Sequence, residues 1–269
     1  MHRAENPAML RAENLRIAFP GRTLVDGLSV DFGAGQVWAI LGRNGSGKST
    51  LLRTLAGLQP SQTKNVLLDG APLHSISRRQ AAARIGVLLQ EESAEFWGTA
   101  RDYVLLGRHP HAAGVFGWSR IDEDIAETEL AAQNLGAFSG RAYTTLSGGE
   151  RQRARAAALF AQRPRAYLVD EPLQHLDLPH QVALLERLSL EARQGALVVM
   201  VLHDLLFASR YCSHFLLLYG DGRFNAGSRD QALNAATLSD VYGFPLEAIE
   251  VRGEQLFLPG PPSARGPHV

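Results

Sequence analysis

Residues 42–50 read G-R-N-G-S-G-K-S-T and fit the pattern G-x-x-x-x-G-K-S, a loop whose backbone amides surround a polyphosphate. An apolar run at residues 36–41 predicts a buried strand before this loop, and residues 50–56 predict a helix after it. This context suits the chemistry, because a helix N-terminus attracts anions. We expect Lys48 to reach the β- and γ-phosphates of a nucleotide and the Ser49 hydroxyl to ligate Mg²⁺. The predicted loop consists of Gly42, Arg43, Asn44, Gly45, Ser46, Gly47, Lys48, Ser49 and Thr50.

Two acidic residues follow the apolar run at residues 166–169. At the carboxyl end of a core strand, in a chain with a phosphate loop, Asp170 is suited to hold Mg²⁺. Glu171 is suited to polarise the water that attacks a γ-phosphate. His203 closes the next buried run, residues 197–202. It is placed either to contact a γ-phosphate or to act only as a satisfied strand-end histidine.

Two further side chains have both a functional and a structural interpretation. Gln90 ends the strand predicted at residues 85–89. Its amide is placed either to face a metal ion or an attacking water, or merely to cap the strand. Phe19 lies upstream of the phosphate loop, where its ring can offer a face to an adenine base. The alternative for Phe19 is an ordinary core phenylalanine.

A second anion site is predicted at residues 146–150, which read L-S-G-G-E. Ser147, Gly148 and Gly149 precede an alanine- and arginine-rich helix at residues 151–162, and a helix start of this kind attracts phosphate. The alternative is an ordinary serine N-cap after a glycine turn. If both loops touch one nucleotide, the second loop can come from another subunit.

Composition restricts the class of protein. The 269 residues include 27 basic and 27 acidic side chains, so no excess charge favours nucleic acid or an anionic membrane surface as a partner. The single cysteine, Cys212, cannot form an internal disulfide, which indicates a reducing compartment. No apolar run approaches the roughly 18 residues of a membrane-spanning helix. Residues 1–10 contain no apolar stretch of signal-peptide length.

The middle of the chain, residues 91–145, predicts a helical insertion whose clearest helix covers residues 122–135. His109 and His111 flank a proline in this segment without a further ligand nearby. We therefore favour a structural or partner-facing loop over a metal site. The Pro/Gly-rich residues 260–269 predict a disordered tail.

Taken together, these motifs resemble those of the ATP-binding subunits of ABC transporters, over about residues 10–255. Residues 42–50 match the Walker A loop, and residues 167–171 match Walker B with the glutamate that follows it. Gln90 matches the Q-loop, residues 146–150 match the ABC signature, and residues 176–177 match the end of the D-loop. His203 matches the switch histidine, and Phe19 matches the A-loop position, which is usually a tyrosine. The phosphate loop alone is shared by many NTPases, whereas the ordered set is specific.

The resemblance implies an α/β fold with a P-loop NTPase core, an antiparallel β subdomain and an inserted α-helical subdomain. The core would comprise residues 10–90 and 160–259, and the helical subdomain with the signature loop residues 91–159. ATP and Mg²⁺ are the implied ligands. Glu171, His203 and Lys48 would be catalytic. The metal would be held by Ser49, Gln90 and Asp170, and the nucleotide would contact Phe19, residues 42–50, Gln90, Ser147, Gly148, Gly149 and Asp170.

Within the family, two segments resemble importers for cobalamin, ferric siderophores and haem. They are residues 104–111, similar to the "LGR-x-PH" segment of those importers, and residues 238–243, which read L-S-D-V-Y-G. The D-loop, residues 173–177, departs from the usual Ser-Ala-Leu-Asp, so the contacts of His175 across a dimer are not defined by the resemblance. Residues 91–92, both glutamates, follow the Q-loop glutamine in a segment that by resemblance faces the permease.

The implied function is ATP hydrolysis for an importer, by a peripheral subunit at the cytoplasmic face of the inner membrane. Two copies would form a homodimer in the ATP-bound state, in which Ser147 and Gly149 of one copy cover the ATP of the other. Its partners would be a permease dimer and, indirectly, a periplasmic or surface substrate-binding protein, with no nucleic acid. The sequence does not specify the chelate. The ATPase of an exporter and a non-transport ABC ATPase are the alternatives; the chain has no heptad run or basic excess of the kind expected for the latter.

Overall fold

The computed structural model describes residues 8–59, 65–90, 96–112 and 117–261. The strands are β1 (Ala8–Phe19), β2 (Arg22–Gly33), β3 (Val37–Gly42), β4 (Val66–Leu68), β5 (Ala71–Pro72), β6 (Ile85–Leu88), β7 (Ala166–Asp170), β8 (Leu197–Val201), β9 (His214–Leu218), β10 (Phe224–Ser228), β11 (Leu246–Val251) and β12 (Glu254–Pro259). The helices are α1 (Lys48–Leu55), α2 (Arg78–Ala82), α3 (Ala100–Leu105), α4 (Arg120–Ala132), α5 (Gly148–Gln162), α6 (Leu178–Arg193), α7 (Leu205–Tyr211), α8 (Arg229–Ala232) and α9 (Ala235–Tyr242). Short 3₁₀ segments cover Leu73–Ser75, Leu106–His111, Gly136–Phe138 and Tyr143–Thr145.

The phosphate loop follows a strand in the middle of a mixed sheet. Strands β10, β9, β3, β8, β7 and β6 lie side by side in that order, and all except β10 are parallel. Strands β3, β7 and β8 are buried along their whole length, as expected for continuous apolar runs in a sheet covered on both faces. Because parallel strands end at the same edge, the residues that follow β3, β6, β7 and β8 gather at one edge of this sheet.

A separate antiparallel sheet, with strand order β2, β1, β4 and β5, supplies the second wall of the site. The β1–β2 hairpin pairs Phe19 with Arg22 at its tip. Apolar side chains of β1, β2, α1 and the central sheet form one continuous core, which includes Ile17, Leu28 and Leu52. This shared core fixes the hairpin tip relative to the phosphate loop.

Helices α3, α4 and α5 enclose an apolar core of their own. The buried Arg108 donates hydrogen bonds to the buried Asp122 carboxylate (2.9 Å) and to the Ala161 carbonyl oxygen (2.7 Å). Gly107 lies so close to α5 that an added β-carbon would be 2.1 Å from the Ala158 carbonyl oxygen. The segment similar to "LGR-x-PH" therefore fastens these three helices together.

The described residues contain no cluster of three or more His, Cys, Asp or Glu side chains that could hold a metal ion. Ring nitrogen Nε2 of His111 lies 2.8 Å from the Gln162 carbonyl oxygen. The Gln162 amide donates to the Ile85 carbonyl oxygen at the start of β6 (2.9 Å). His111 therefore contacts the end of α5, and the Gln162 side chain joins α5 to the edge of the central sheet.

The structure confirms the α/β class and the order of strands and helices expected from sequence. The helix expected to cover residues 151–162 begins earlier, at Gly148, because Ser147 caps it. The helix expected at residues 122–135 is α4, which Ser119 caps and which ends at Ala132.

Several expectations concern residues at or beyond the limits of the description. Gly260, the first residue of the expected tail, is buried, and its amide donates to the Pro245 carbonyl oxygen (2.9 Å). Residues 262–269 and the acidic pair at residues 91–92 lie outside the described residues. The division into core, helical subdomain and tail stays a prediction. Within the described part of the chain, no helix is long and apolar enough to cross a membrane.

Candidate functional site

The loop between β3 and α1 contains glycines in conformations that other residues avoid. The φ angle is 149° at Gly42, 75° at Gly45 and 101° at Gly47. A β-carbon on Gly42 would lie 2.4 Å from the Leu218 carbonyl oxygen, a backbone atom that cannot move aside. Helix α1 begins after Gly47 without a side-chain cap. Its first backbone amides are therefore available to an anion.

Lys48, the first residue of α1, is buried inside this loop. Its ammonium group donates to the carbonyl oxygens of Gly42 (2.9 Å) and Arg43 (3.1 Å). Burial lowers the pKa of Lys48, and the carboxylates of Glu171 and Asp170 oppose that shift. The loop thus holds a cation whose weak carbonyl partners a phosphate can replace, since charged pairs are the stronger hydrogen bonds.

Ser49 and Asp170 meet at the edge of the sheet. The Ser49 hydroxyl donates to Oδ1 of Asp170 across 3.1 Å, and Asp170 is only 1% exposed. Burial raises the pKa of Asp170, although the Ser49 hydrogen bond lowers it. Its second oxygen, Oδ2, is buried without a hydrogen-bond partner among the described residues. A hydroxyl beside a buried, half-satisfied carboxylate is a set of hard oxygen ligands that fits Mg²⁺.

Glu171 follows Asp170 in an unusual backbone conformation. Its φ angle is 49°, and its amide donates to the Val201 carbonyl oxygen at the end of β8 (3.1 Å). This turn directs the carboxylate toward the end of the neighbouring strand. Oε1 of Glu171 lies 2.7 Å from Nε2 of His203, and Oε2 accepts a hydrogen bond from the Gln174 amide. The structure thus pairs an acid and a histidine that sequence alone could only place on separate strands.

These groups surround one open cavity of about 870 Å³. Its wall contains most of the predicted site residues from the phosphate loop and from four separate strand ends. The lining residues are Phe19, Pro20, Arg22, Leu24, Asn44, Gly45, Gly47, Lys48, Ser49, Thr50, Gln90, Glu171 and His203. Among the residues predicted for the phosphate loop and the strand ends, Gly42, Arg43, Ser46 and Asp170 are outside this lining. Ser46 is 2% exposed, and its hydroxyl oxygen has no partner among the described residues.

The hairpin tip supplies both a predicted and an unpredicted residue. Phe19 is 47% exposed at the cavity, so it is not the core phenylalanine of the alternative interpretation. Arg22 was missed by sequence reasoning, although its pairing with Phe19 across a two-residue turn was a usable signal. Its guanidinium donates to the Gly45 carbonyl oxygen (2.7 Å). Arg22 therefore ties the antiparallel sheet to the phosphate loop.

The second predicted anion site does not line this cavity. The Ser147 hydroxyl accepts a hydrogen bond from the Glu150 amide (3.2 Å), and the Glu150 carboxylate accepts one from the Ser147 amide (2.7 Å). This is a capping box at the start of α5. A β-carbon on Gly149 would lie 2.9 Å from the carbonyl oxygen of His175. Within one chain, the loop therefore packs on the turn after Glu171 and remains separate from the first anion site.

Comparisons with known proteins agree with this geometry. The sequence model of the family described as ABC transporter matches residues 25–174. That range contains the phosphate loop, Gln90, the second glycine loop, Asp170 and Glu171, but neither Phe19 nor His203.

Two relatives and one solved structure match nearly the whole chain. The hemin import ATP-binding protein HmuV of Rhodococcus jostii (strain RHA1) is 38% identical over 262 residues, 96% of this chain and 88% of the relative. The ferric enterobactin transport ATP-binding protein FepC of Escherichia coli (strain K12) is 36% identical over 95% of each chain. A metal-chelate type ABC transporter in an inward-facing conformation has a chain 27% identical, with a TM-score of 0.79 over 94% of this chain and 97% of its own.

Proposed function

Because the chain belongs to the ABC transporter family of ATP-binding proteins, we propose that it powers the import of a metal chelate through a separate membrane permease. The chain is an ATPase, as ATP-binding subunits of this family are. The observation that carries the import assignment is the match along nearly the whole chain to relatives named for hemin import and ferric enterobactin transport. Haem and ferric siderophores are accordingly the first candidate cargoes, with cobalamin as the third.

The geometry supports separate roles for the residues of the cavity in ATP binding and hydrolysis. Phe19 offers its exposed ring to the adenine base. Lys48 and the amides of the phosphate loop bind the β- and γ-phosphates. Glu171 orients the attacking water as base, and His203 holds it and the γ-phosphate from the end of β8. The 2.7 Å separation of Glu171 Oε1 and His203 Nε2 supports a joint action of the two side chains on one γ-phosphate.

Mg²⁺ would be held by Ser49 and Asp170, with Gln90 as a further ligand. When bound, Mg²⁺ neutralises charge on the phosphoryl oxygens. The half-satisfied, buried carboxylate of Asp170 supports this assignment, because a buried carboxylate oxygen without a partner is costly unless it binds something. Gln90 is exposed and lines the same cavity.

We also propose that two copies close over two ATP molecules in a head-to-tail homodimer. Ser147 and Gly149 of one copy would cover the nucleotide held by the other, which accounts for a second anion site that stays outside the cavity of its own chain. Gly148 and Gly149 begin α5, whose positive end suits the γ-phosphate. Dimer closure and reopening would drive the permease dimer, with the chain bound as a peripheral protein at the cytoplasmic face of the inner membrane.

The dimer is tested by size-exclusion chromatography of wild type and Glu171→Gln in ATP and Mg²⁺. We expect Glu171→Gln to lower turnover by about 10²- to 10⁴-fold and to elute as a dimer with ATP retained. Glu13→Gln, on the exposed face of β1, should behave as wild type. A Glu171→Gln protein that hydrolyses ATP at the wild-type rate, or that stays monomeric in ATP, contradicts the assigned site or the dimer respectively.

The cargo is tested with the tagged chain purified together with its permease from native membranes and inserted into vesicles. The binding protein is loaded separately with haem, a ferric siderophore or cobalamin. We expect ATP-dependent accumulation of one chelate on the side of the membrane that carries the ATPase, and none with Glu171→Gln. Accumulation on the opposite side, that of the binding protein, would identify an exporter. Active ATPase with no transport of any of the three would reject the chelate assignment while leaving the ATPase site intact.

A further inference from the structure

The catalytic carboxylate proposed above is held on two sides. His203 contacts Oε1 of Glu171 across 2.7 Å, and Nε2 of Gln174 donates to Oε2. Gln174 lies three residues further along the same turn and is half-buried. Gln174 is the first residue after Glu171 whose side chain can donate a hydrogen bond to the carboxylate, because Pro172 and Leu173 have no side-chain donor.

The turn that presents Gln174 is held by backbone and side-chain hydrogen bonds. Glu171 and His175 both have left-handed φ angles, 49° and 63°, and the Gln174 amide hydrogen-bonds to the Glu171 carbonyl oxygen (3.3 Å). From α6, the side-chain amide of Gln181 donates to the carbonyl oxygens of Leu173 (3.3 Å) and Leu176 (3.1 Å). Such conformations persist only where the surroundings hold them.

The pair Glu171–His203 separates the nucleotide cavity from a second, mainly apolar cavity of about 220 Å³. Gln174 lines only the second cavity, together with Leu173, Gln181 and Phe207. It therefore approaches the carboxylate from behind and leaves the nucleotide side open. Each carboxylate oxygen can accept two hydrogen bonds, so the bonds from His203 and Gln174 leave acceptor positions for a water.

We propose that Gln174 is a positioning residue for ATP hydrolysis: its amide holds the Glu171 carboxylate in the plane in which the other oxygen meets His203. This inference rests on the proposed role of Glu171 as base. A glutamine suits the task because it reaches the carboxylate and donates without carrying a charge. A carboxylate that is hydrogen-bonded at both oxygens cannot rotate and so keeps the attacking water in place. Misplacement of a reacting group lowers the rate of the chemical step.

The test compares steady-state ATPase kinetics of the full chain. Gln174→Met keeps the volume of the side chain but removes the donor, and we expect kcat to fall about tenfold, the value of a hydrogen bond to a charged group, with the KM for ATP within about twofold of wild type. Gln181→Met is the matched control, because Gln181 supports the same turn without touching Glu171. Because the backbone bond from Gln174 to Glu171 also holds the turn, the kcat of Gln181→Met should fall much less than that of Gln174→Met. Thermal unfolding midpoints show whether each variant is folded. If Gln174→Met does not fold, Gln174→Asn replaces it, because the shorter side chain of asparagine does not reach the Glu171 carboxylate.

A double variant separates positioning from general stabilisation. A residue that acts only through the Glu171 carboxylate has nothing to position in Glu171→Gln, so adding Gln174→Met should leave the residual rate of Glu171→Gln unchanged. Wild-type kcat in Gln174→Met, an equal loss in Gln181→Met, or a further tenfold loss in the double variant would each overturn the proposal. If Glu171→Gln itself turns over normally, the assignment of the base fails, and the role of Gln174 fails with it.

Discussion

Ser49 and Asp170 form a 3.1 Å hydrogen bond although 121 residues separate them in the chain. One stands in the first turn of α1 and the other at the end of β7, next but one to β3 in the sheet. The parallel sheet creates this proximity, because it brings the ends of β3 and β7 to one edge. The hydroxyl satisfies one oxygen of a buried carboxylate and leaves the other unpartnered.

Asp170→Asn should weaken Mg²⁺ binding while preserving the hydrogen bond from Ser49, since an amide oxygen can still accept it. We expect the Mg²⁺ concentration for half-maximal ATPase activity to rise at least about tenfold, because even the outer partners of metal ligands are worth that much. Asp124→Asn, on the exposed face of α4, is the control and should leave the Mg²⁺ titration unchanged. A titration of Asp170→Asn that overlays wild type would exclude Asp170 as a ligand.

Gly42→Ala should destabilise the fold as well as abolish nucleotide binding. The new β-carbon meets the Leu218 carbonyl oxygen at 2.4 Å in a residue whose φ is 149°, so strain and overpacking add to about 2–4 kcal/mol. Gly195→Ala adds a β-carbon at φ 98° with nothing within 4 Å, so it should cost only about 1 kcal/mol. Urea unfolding of the two variants measures the difference, and equal losses would show that the contact with Leu218 is relieved.

Phe19→Ala should raise the KM for ATP with little change in kcat. Base stacking on an aromatic ring is worth about 1–2 kcal/mol by alanine substitution, or roughly tenfold in affinity. Phe19→Tyr keeps the ring and should bind as wild type. Phe244→Ala removes a similarly exposed ring, 42% against 47%, that lies outside the cavity lining. An equal effect of Phe19→Ala and Phe244→Ala would remove Phe19 from the base site.

His214 is held neutral by a chain of hydrogen bonds at the start of β9. Oε1 of Gln36 accepts from the Trp38 indole (2.8 Å) and the Gly33 amide (2.7 Å). The amide nitrogen of Gln36 therefore faces ring nitrogen Nε2 of His214, 3.2 Å away. That ring nitrogen must accept, so Nδ1 carries the proton beside the Ser213 hydroxyl (2.9 Å). Burial also lowers the pKa of His214 below its ordinary value of 6.5.

This arrangement predicts a dependence of stability on pH. Since the folded pKa of His214 is depressed, its neutral form favours folding above the unfolded pKa, and that stabilisation is lost as pH falls through the folded pKa. Wild type should therefore lose stability relative to His214→Phe, which keeps a ring against Trp38, as pH falls from about 7.5 to about 5.5. Urea unfolding at a series of pH values measures this. A difference in the free energy of unfolding between wild type and His214→Phe that stays constant over this pH range would refute the assignment of a neutral His214.

Much of the site was predictable because its chemistry depends on short local patterns. The phosphate loop needs glycines at set spacings before a helix, and residues 42–50 supply them. Asp170, Glu171 and His203 each follow an apolar run that could only be a buried strand. Family membership and the α/β class, both inferred from these motifs, are confirmed by the comparisons. The roles of the individual site residues remain predictions.

Other relationships arise only when distant segments are brought together. Sequence order alone did not show that Arg22 binds the loop carbonyl of Gly45, or that the second glycine loop stays outside the cavity of its own chain. Sequence order also did not show that the Gln174 side chain donates to the Glu171 carboxylate. That contact requires left-handed backbone angles at Glu171 and His175, which no local sequence pattern predicted.

Residue types and spacing by themselves thus determined which groups are predicted to meet a nucleotide: a phosphate loop, a lysine, three acids or amides and a histidine. Those choices are local, since each depends on a residue and the few that flank it. The tertiary structure decided which oxygen each group faces, which carboxylate is left half-satisfied and which predicted anion site lies outside the cavity of its own chain. Those outcomes depend on strand order and backbone turns, which are set by the packing of the whole chain.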